Sequence, residues 1–406
     1  MKNKFDDLEE SKTSNVECQM SNIHKIDRNV VVLGWVSFFT DMATAMINPI
    51  LPIFVVVILH EGVDKLGIIV AVATFVSYAL RLLSGFISDR YGIVKPLVVS
   101  GYALSALSKP LIGLSHSYKS VAALRGLERL GKALRSAPKD VLIASFSKKK
   151  STGKTFGFHK TLDIAGELTG TLLAFFLLWK LGESEEVFRS IFFFTIIPGF
   201  IGLILVIFFV KDVPKKPGSK NFRLTVKDKR VIEMLFFYFL FVFFMWSDAF
   251  LTMQAKSVGI AVMVIPLLFA ISTGTQTLTS YLLGVFIDRI GALKIMAFGF
   301  LSGIISLLLL FLQKPLFTWI AFAFFGLFTV ATLNATRVYI AMQSDNKGSV
   351  YGVFYAGVAL FGALGAYVCG LLWEHFGMYT ALVFSLIGTT ALLMLFAGKN
   401  YGAFRG

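Results

Sequence analysis

Stretches of about twenty apolar residues recur along the whole chain, separated by short polar breaks. A helix of about that length crosses a hydrocarbon layer of ~30 Å. Twelve such stretches are legible. They lie at 30–59, 66–88, 96–114, 121–146, 156–178 and 188–210 (spans 1 to 6), and at 231–251, 258–287, 295–312, 317–342, 350–373 and 379–397 (spans 7 to 12). A backbone in lipid must satisfy its own hydrogen bonds, so every span is expected to be a helix. The alternating strands of a transmembrane barrel, about ten residues each, are not seen in the sequence. The pattern predicts an all-α membrane protein with twelve transmembrane helices.

The longest break between spans, 211–230, reads KDVPKKPGSKNFRLTVKDKR. It divides the spans into two sets of six. The expected organisation is a cytoplasmic tail (1–29), a six-helix bundle (30–210), a cytoplasmic linker (211–230), a second six-helix bundle (231–397) and a short tail (398–406). The hydrophilic first 29 residues lack the apolar core and cleavage site of a secretory signal, so span 1 is expected to act as an uncleaved insertion signal.

Composition agrees. The chain is 56% hydrophobic and 16% charged, with a mean hydropathy of +0.75; soluble chains run at about 45–50% and about 25%. A soluble enzyme and a nucleic-acid-binding domain are thereby excluded. The net charge of +15 is largely topological: seventeen Lys and Arg lie in loops after even-numbered spans, and six in or beside loops after odd-numbered ones. Positive loops stay inside, which places the even loops and both termini on the cytoplasmic side of the cell inner membrane. The run 148–150 belongs to this bias and meets anionic headgroups. The two cysteines, Cys18 and Cys369, form no disulfide framework or metal-ligand spacing. No cofactor or metal site is expected, and no phosphate-binding loop G-x-x-x-x-G-K-[ST] occurs.

A repeat joins the halves. Span 2 ends with Gly85, Asp89, Arg90, Gly92 and Lys95, and span 8 with Gly284, Asp288, Arg289, Gly291 and Lys294; matched residues lie 199 apart. Thr40-Asp41 in span 1 is echoed by Ser247-Asp248 in span 7, and Gly153 and Gly157 by Gly348 and Gly352. On these residues the chain resembles the major facilitator superfamily from about Val30 to Ala397. That family carries a G-x-x-x-D-R-x-G-x-x-[KR] loop between spans 2 and 3. The resemblance implies two six-helix pseudo-repeats that rock about a site near the midplane. It also implies that the ten signature residues act in gating, latching the cytoplasmic side. Gly85 would then allow close helix approach, and Asp89, at a helix C-terminal end, needs a partner. Arg125, Glu128 and Gly131 resemble the family's span-4 pattern, with Arg129 in place of a glycine. Gly157, Gly166 and Gly170 resemble a drug-antiporter pattern in span 5, where Thr171 replaces a proline.

Ionisable residues within spans are costly and mark function. The first half holds Asp41, Arg81, Lys109, Arg125, Glu128, Arg129, Lys132, Arg135, His159, Lys160, Asp163 and Glu167; the second holds mainly Asp248 and Arg337. In span 4, positions 125, 129 and 132 share a helical face, as do 128, 132 and 135. In span 5, His159, Asp163 and Glu167 form a stripe. The first half carries three more cations than anions, which favours an anionic solute, because Arg forks bind carboxylate or phosphate. Arg125, Arg129, Lys132, Arg135, Asn334 and Arg337 are the candidate substrate-binding residues, with Arg135 also the best placed to brace Asp89. Asp41, His159, Asp163, Glu167 and Asp248 are the candidates for proton coupling. An N-cap at a helix break is the alternative role for the two aspartates. Phe192–194 and Phe236–244 are read as packing and lipid contact.

No catalytic constellation is seen, so the expectation is a non-enzymatic secondary transporter, functional as a monomer. Its partners are a small organic anion, the proton and the lipid bilayer, with no nucleic acid. Proton-coupled uptake is the first reading, and polycarboxylates and carboxylate siderophores are among the solutes considered. Proton-driven efflux of drugs or metabolites is the alternative. A receptor or assembly factor built on a transporter scaffold is the alternative from another class.

Overall fold

The computed structural model describes residues 26–147, 152–213 and 224–400; within these, the side chains of Leu82, Asp89 and residues 152–154 lie outside the description. Cys18, the run 148–150, most of the expected N-terminal tail, the middle of the linker and the last six residues therefore lie outside the described residues. Every regular element among the described residues is helical. Among the described residues, eleven helices are long and apolar enough to cross a membrane. The remaining long helix, Tyr118–Ser145, is span 4. At 28 residues it is long enough to cross but too charged to pass as apolar.

Three spans are broken. Span 1 runs as Arg28–Ile47, turns at 48–50, and continues through Leu51–Ile53 into a wide turn at Phe54–Ile58. Pro49 and Pro52 lack the N–H groups that would continue the ladder. Span 6 divides at Thr195 into Glu185–Phe194 and Ile196–Phe209, three residues before Pro198. Span 7 runs as Val226–Phe244, then restarts at Asp248–Ser257 with Ser247 in the N-cap position. No proline explains this break. Trp246 is fully buried between Phe250 and Trp373, and this packing holds the turn. The first part of span 7 begins earlier than expected, at Val226, because Thr225 and Asp228 form a reciprocal capping box. The C-terminal helix likewise continues to Lys399.

The packing repeats from half to half. Span 1 packs on spans 5 and 6, span 3 on spans 4 and 6, and span 2 on span 4. Span 7 packs on 11 and 12, span 9 on 10 and 12, and span 8 on 10. Across the halves, span 2 meets span 11 and span 8 meets span 5. Each contact is reproduced when six is added to the span numbers. In span 5, a Cβ at Gly166 or Gly170 would collide with the carbonyls of Phe38 and Met42 in span 1. The glycine spacing that resembles an antiporter pattern thus has a packing cause here.

The halves touch most closely at the end bearing the odd-numbered loops. There Gly67 and Gly370 bring spans 2 and 11 into backbone contact. The Glu374 carboxylate at the end of span 11 accepts the Val63 N–H (2.7 Å) at the start of span 2. Glu183, just after span 5, accepts the Met263 N–H (2.9 Å) at the start of span 8. These are equivalent helix ends, so one device closes both seams: a carboxylate from one half caps a helix of the other. Toward the even-numbered loops, Gly284 and Gly348 have open space around them, and Leu278 and Tyr281 of span 8 are exposed.

At that even end, Asp228 ties span 7 to the loop before span 11. It is fully buried and accepts from the backbone N–H groups of Thr225, Asp345 and Asn346 and from the Asn346 side-chain amide. Replacing Asp228 by Ala strands these donors, and is expected to lower the melting temperature by several degrees in a thermal unfolding assay of the purified protein. A melting temperature equal to wild type would contradict this role.

Candidate functional site

Span 4 has a charge on almost every turn, and the bundle absorbs them by turning that face inward. Glu128 is fully buried. Its Oε2 lies 3.1 Å from Arg125 Nη1 and 3.2 Å from Arg129 Nε. Arg125 also donates to Asn48 Oδ1 (2.5 Å) at the break in span 1. The i, i+3 spacing of Arg125 and Glu128 makes the pair, and the break in span 1 exposes the amide that completes it. Lys109 of span 3, buried behind this cluster, donates to the Thr40 carbonyl (3.0 Å). That carbonyl lies in the interior of span 1.

About two turns beyond Glu128, Arg135 donates to Ser105 Oγ (2.6 Å), and its guanidinium lies 4.6 Å from the centre of the Tyr102 ring. Both partners are on span 3, so Arg135 is held within the first half. Its expected role as brace for Asp89 falls on a side chain outside the description. Ser37 is the next hub: Lys139 donates to its Oγ (3.1 Å), with His159 Nε2 at 3.0 Å and the Tyr102 hydroxyl at 3.4 Å. His159 Nδ1 lies 3.5 Å from Asp163, whose other oxygen is 4.0 Å from Lys160.

Two adjoining cavities follow this charged face. The first, of about 330 Å³, is lined chiefly by spans 1, 4 and 5, with Arg81 of span 2, Tyr102 of span 3 and Arg337 of span 10, and holds Asp41, Lys132, Arg135, Lys139, Asp163 and Glu167, among others. It extends to Asp140 and Lys160 near the even-numbered loops; the Lys160 side chain is 65% exposed. The second, of about 290 Å³, lies between spans 1, 2, 4 and 7 and reaches Asp248. Asn48, Arg81 and Lys132 line both, and so form the seam. Counting both, eight cations face five carboxylates.

The cations differ in what they already hold. Arg125 and Arg129 share Glu128; Arg135 and Lys139 are hydrogen-bonded; Lys160 is in ion-pair range of Asp163. Lys132 has no side-chain hydrogen bond or ion pair among the described residues. Arg81 makes no ion pair either. It lies beside the stacked rings of Tyr78 and Tyr355, 5.5 and 5.3 Å from their centres, with a buried Nε lacking a partner. Of the second-half candidates, exposed Arg337 lines the first cavity, whereas Asn334 donates to Ser280 and lines neither.

The carboxylates divide similarly. Asp41 lies within a continuous helix, and Asp248 at the start of one. The two are not equivalent: the 199-residue offset carries the span 1 break at Asn48 onto the span 7 break at Ser247, leaving Asp41 about two turns away. Asp41 is thus no N-cap. Glu167 accepts a hydrogen bond from Thr273 of span 8 (3.1 Å), which joins the two halves well inside the bundle from the Glu183 cap.

The repeat signature is local here. Gly92 ends the span 2 helix at φ +67°, and Gly291 ends span 8 at φ +94°, conformations that favour glycine. Lys95 donates to the Ile207 carbonyl (2.8 Å), tying span 3 to span 6. Arg90 lies over the Phe86 and Tyr91 rings. Asp288 and Arg289 are exposed, and neither they nor Lys294 has an ion pair among the described residues. Gly85 does not serve close approach: a Cβ there would meet only Ala137, at an ordinary 3.6 Å.

Arg81 stood among the ionisable residues without a role, and Asn48, Tyr78, Lys139 and Asp140 had no expected role at all. A signal existed for Lys139, which extends the 132–135 face by four residues. Asn48 and Tyr78 are brought in by tertiary packing.

The profile of the Major Facilitator Superfamily matches residues 33–254. An uncharacterised MFS-type transporter of Methanocaldococcus jannaschii is 29% identical over 94% of this chain and 98% of its own length. The multidrug resistance protein MdtH of Shigella boydii serotype 4 is 23% identical over 86% of this chain and 85% of its own. Among solved structures, a D323A mutant of the nucleoside transporter NupG superposes with a TM-score of 0.77 at 14% identity, covering 93% of this chain and all of that one. At that identity the likeness is one of fold.

Replacing Glu128 by Gln leaves buried Arg125 and partly buried Arg129 without this counter-charge. A cost of about 3–5 kcal/mol is expected, read as reduced folded yield and a lowered melting temperature. Lys132→Gln removes no described contact and is expected to leave both unchanged. Equal stability of the two variants would contradict the assignment.

Proposed function

The chain belongs to the Major Facilitator Superfamily, and from that premise we propose that it is a secondary transporter of a small organic anion, coupled to protons in the direction of uptake. One observation carries the reading: the cavity between the halves holds a surplus of cations, and two at its seam, Arg81 and Lys132, lack an anionic partner. Charged groups withheld from water are stabilised by a counter-charge, and an anionic solute supplies it. Glu167 is the coupling residue best placed. It lines the cavity with no cation in ion-pair range, and its hydrogen bond to Thr273 spans the two halves. Rocking of the halves breaks that bond, so proton binding at Glu167 and movement are linked. Asp41 and Asp248 are secondary candidates. His159 has both ring nitrogens close to partners, Ser37 and Asp163, and acts in holding span 5 to span 1.

In this reading the odd-numbered loops face outward and the even-numbered loops the cytoplasm. The cavity then opens inward, and the two carboxylate caps close the outer seam.

Similarity to a multidrug resistance protein favours a second reading, efflux. Its sequence support is reduced, because Gly166 and Gly170 are needed to seat span 5 on span 1.

Accumulation of labelled organic anions, ferric carboxylate siderophores included, separates the readings. Cells overproducing the protein are expected to accumulate one class faster than cells lacking it, and an uncoupler is expected to abolish the difference. Lys132→Gln should lower uptake about tenfold or more, and Glu167→Gln should remove the uncoupler-sensitive part. Lower accumulation on overproduction, restored by the uncoupler, would establish efflux and overturn the direction proposed here.

A further inference from the structure

Building on the anion reading, we propose that the solute is an amphiphilic monoanion, with its charged group at the seam and a compact apolar body in the second cavity. The two cavities have different walls. The first is lined almost wholly by polar and charged side chains. The second presents Leu51, Pro52, Leu66, Ile69, Val70 and Ala73 along one side. Its Arg125 and Arg129 are already joined to Glu128. The apolar wall comes from the restart of span 1 and the first half of span 2, and would gain nothing from a fully hydrated polyanion.

Charge limits the solute further. The unpaired cations of the seam number two, Arg81 and Lys132, while Asp41 in the first cavity and Asp248 in the second repel additional negative charge. A second or third carboxylate on the solute would have to displace Glu128 or approach these aspartates. A single carboxylate, phosphonate or sulfonate satisfies the seam without doing either. The stacked Tyr78 and Tyr355 rings flank the Arg81 guanidinium on one side. This fixes the cation against the apolar wall and lowers the ordering cost of binding. The second cavity, at about 290 Å³, lies at the small end of ligand pockets, which suits a body of one ring or a short branched chain.

The test uses the full-length protein in lipid nanodiscs and three probes: 3-phenylpropionate, its neutral amide, and citrate. Binding is read by calorimetry and by thermal shift. Phenylpropionate is expected to bind at least about tenfold more tightly than either of the others. Lys132→Gln should lower its affinity by about that factor, and Lys132→Arg should retain most of it. Val70→Trp, which fills the apolar side of the second cavity, should weaken phenylpropionate while leaving the fold intact by circular dichroism. Citrate bound more tightly than phenylpropionate, in a Lys132-dependent way, would overturn the amphiphile and leave the anion reading standing. Tightest binding of the neutral amide would overturn both. Binding of none of the three at millimolar concentration would overturn the amphiphile.

Discussion

A helix carrying Arg125, Glu128, Arg129, Lys132, Arg135, Lys139 and Asp140 cannot face lipid, and the packing of the first six spans is organised around that constraint. Glu128 is the pivot. Buried between two guanidiniums, it neutralises the section of span 4 that passes deepest through the bundle. Span 1 breaks where Asn48 must reach Arg125, span 3 offers Ser105 and Tyr102 to Arg135, and Ser37 receives Lys139. Each partner is supplied by the helix that lies against span 4 or across the cavity from it. Buried ion pairs add little net stability, so the arrangement is costly for a merely structural element. It becomes intelligible when the charges that remain unpaired face a solute.

Most of the cations are spent in holding the first half together. Arg125 and Arg129 are tied to Glu128, and Arg135 and Lys139 to neutral oxygens, which leaves Arg81 and Lys132 with neither an ion pair nor a side-chain hydrogen bond among the described residues where the two cavities join. The second half contributes little charge: Asp248 at the start of a broken helix, and Arg337 at the rim. The two halves therefore repeat each other in packing but divide the chemistry unequally. The pseudo-symmetry survives where it closes the molecule, in the paired caps by Glu183 and Glu374.

Much of this was legible in the sequence. Long apolar stretches set the number of spans, and the repeated glycines, aspartates and arginines of the two signature loops set their correspondence. The charged face of span 4 could be read from its period. What the sequence could not give depended on tertiary contact. Span 7 breaks without a proline because Trp246 packs against Phe250 and Trp373, and that shift removes the apparent equivalence of Asp41 and Asp248. The free cations could not be told from the committed ones, since Arg125 and Lys132 look alike until Asn48 and Glu128 are placed. Arg81 gained its place only when Tyr355, from the other half, was brought beside it.

The central claim is that this cavity presents a positive field to the compartment it opens on. Its most direct test needs no knowledge of the solute. Ser136 lines the first cavity beside Lys132 and Arg135. In a background with Cys18 and Cys369 replaced, Ser136→Cys would be labelled with small thiol reagents of opposite charge, and the two rates divided by those for a free thiol in solution. A field of the expected sign favours the anionic reagent over the cationic one by about tenfold or more, and Lys132→Gln lowers that preference. A preference for the cationic reagent, or none, would contradict the account.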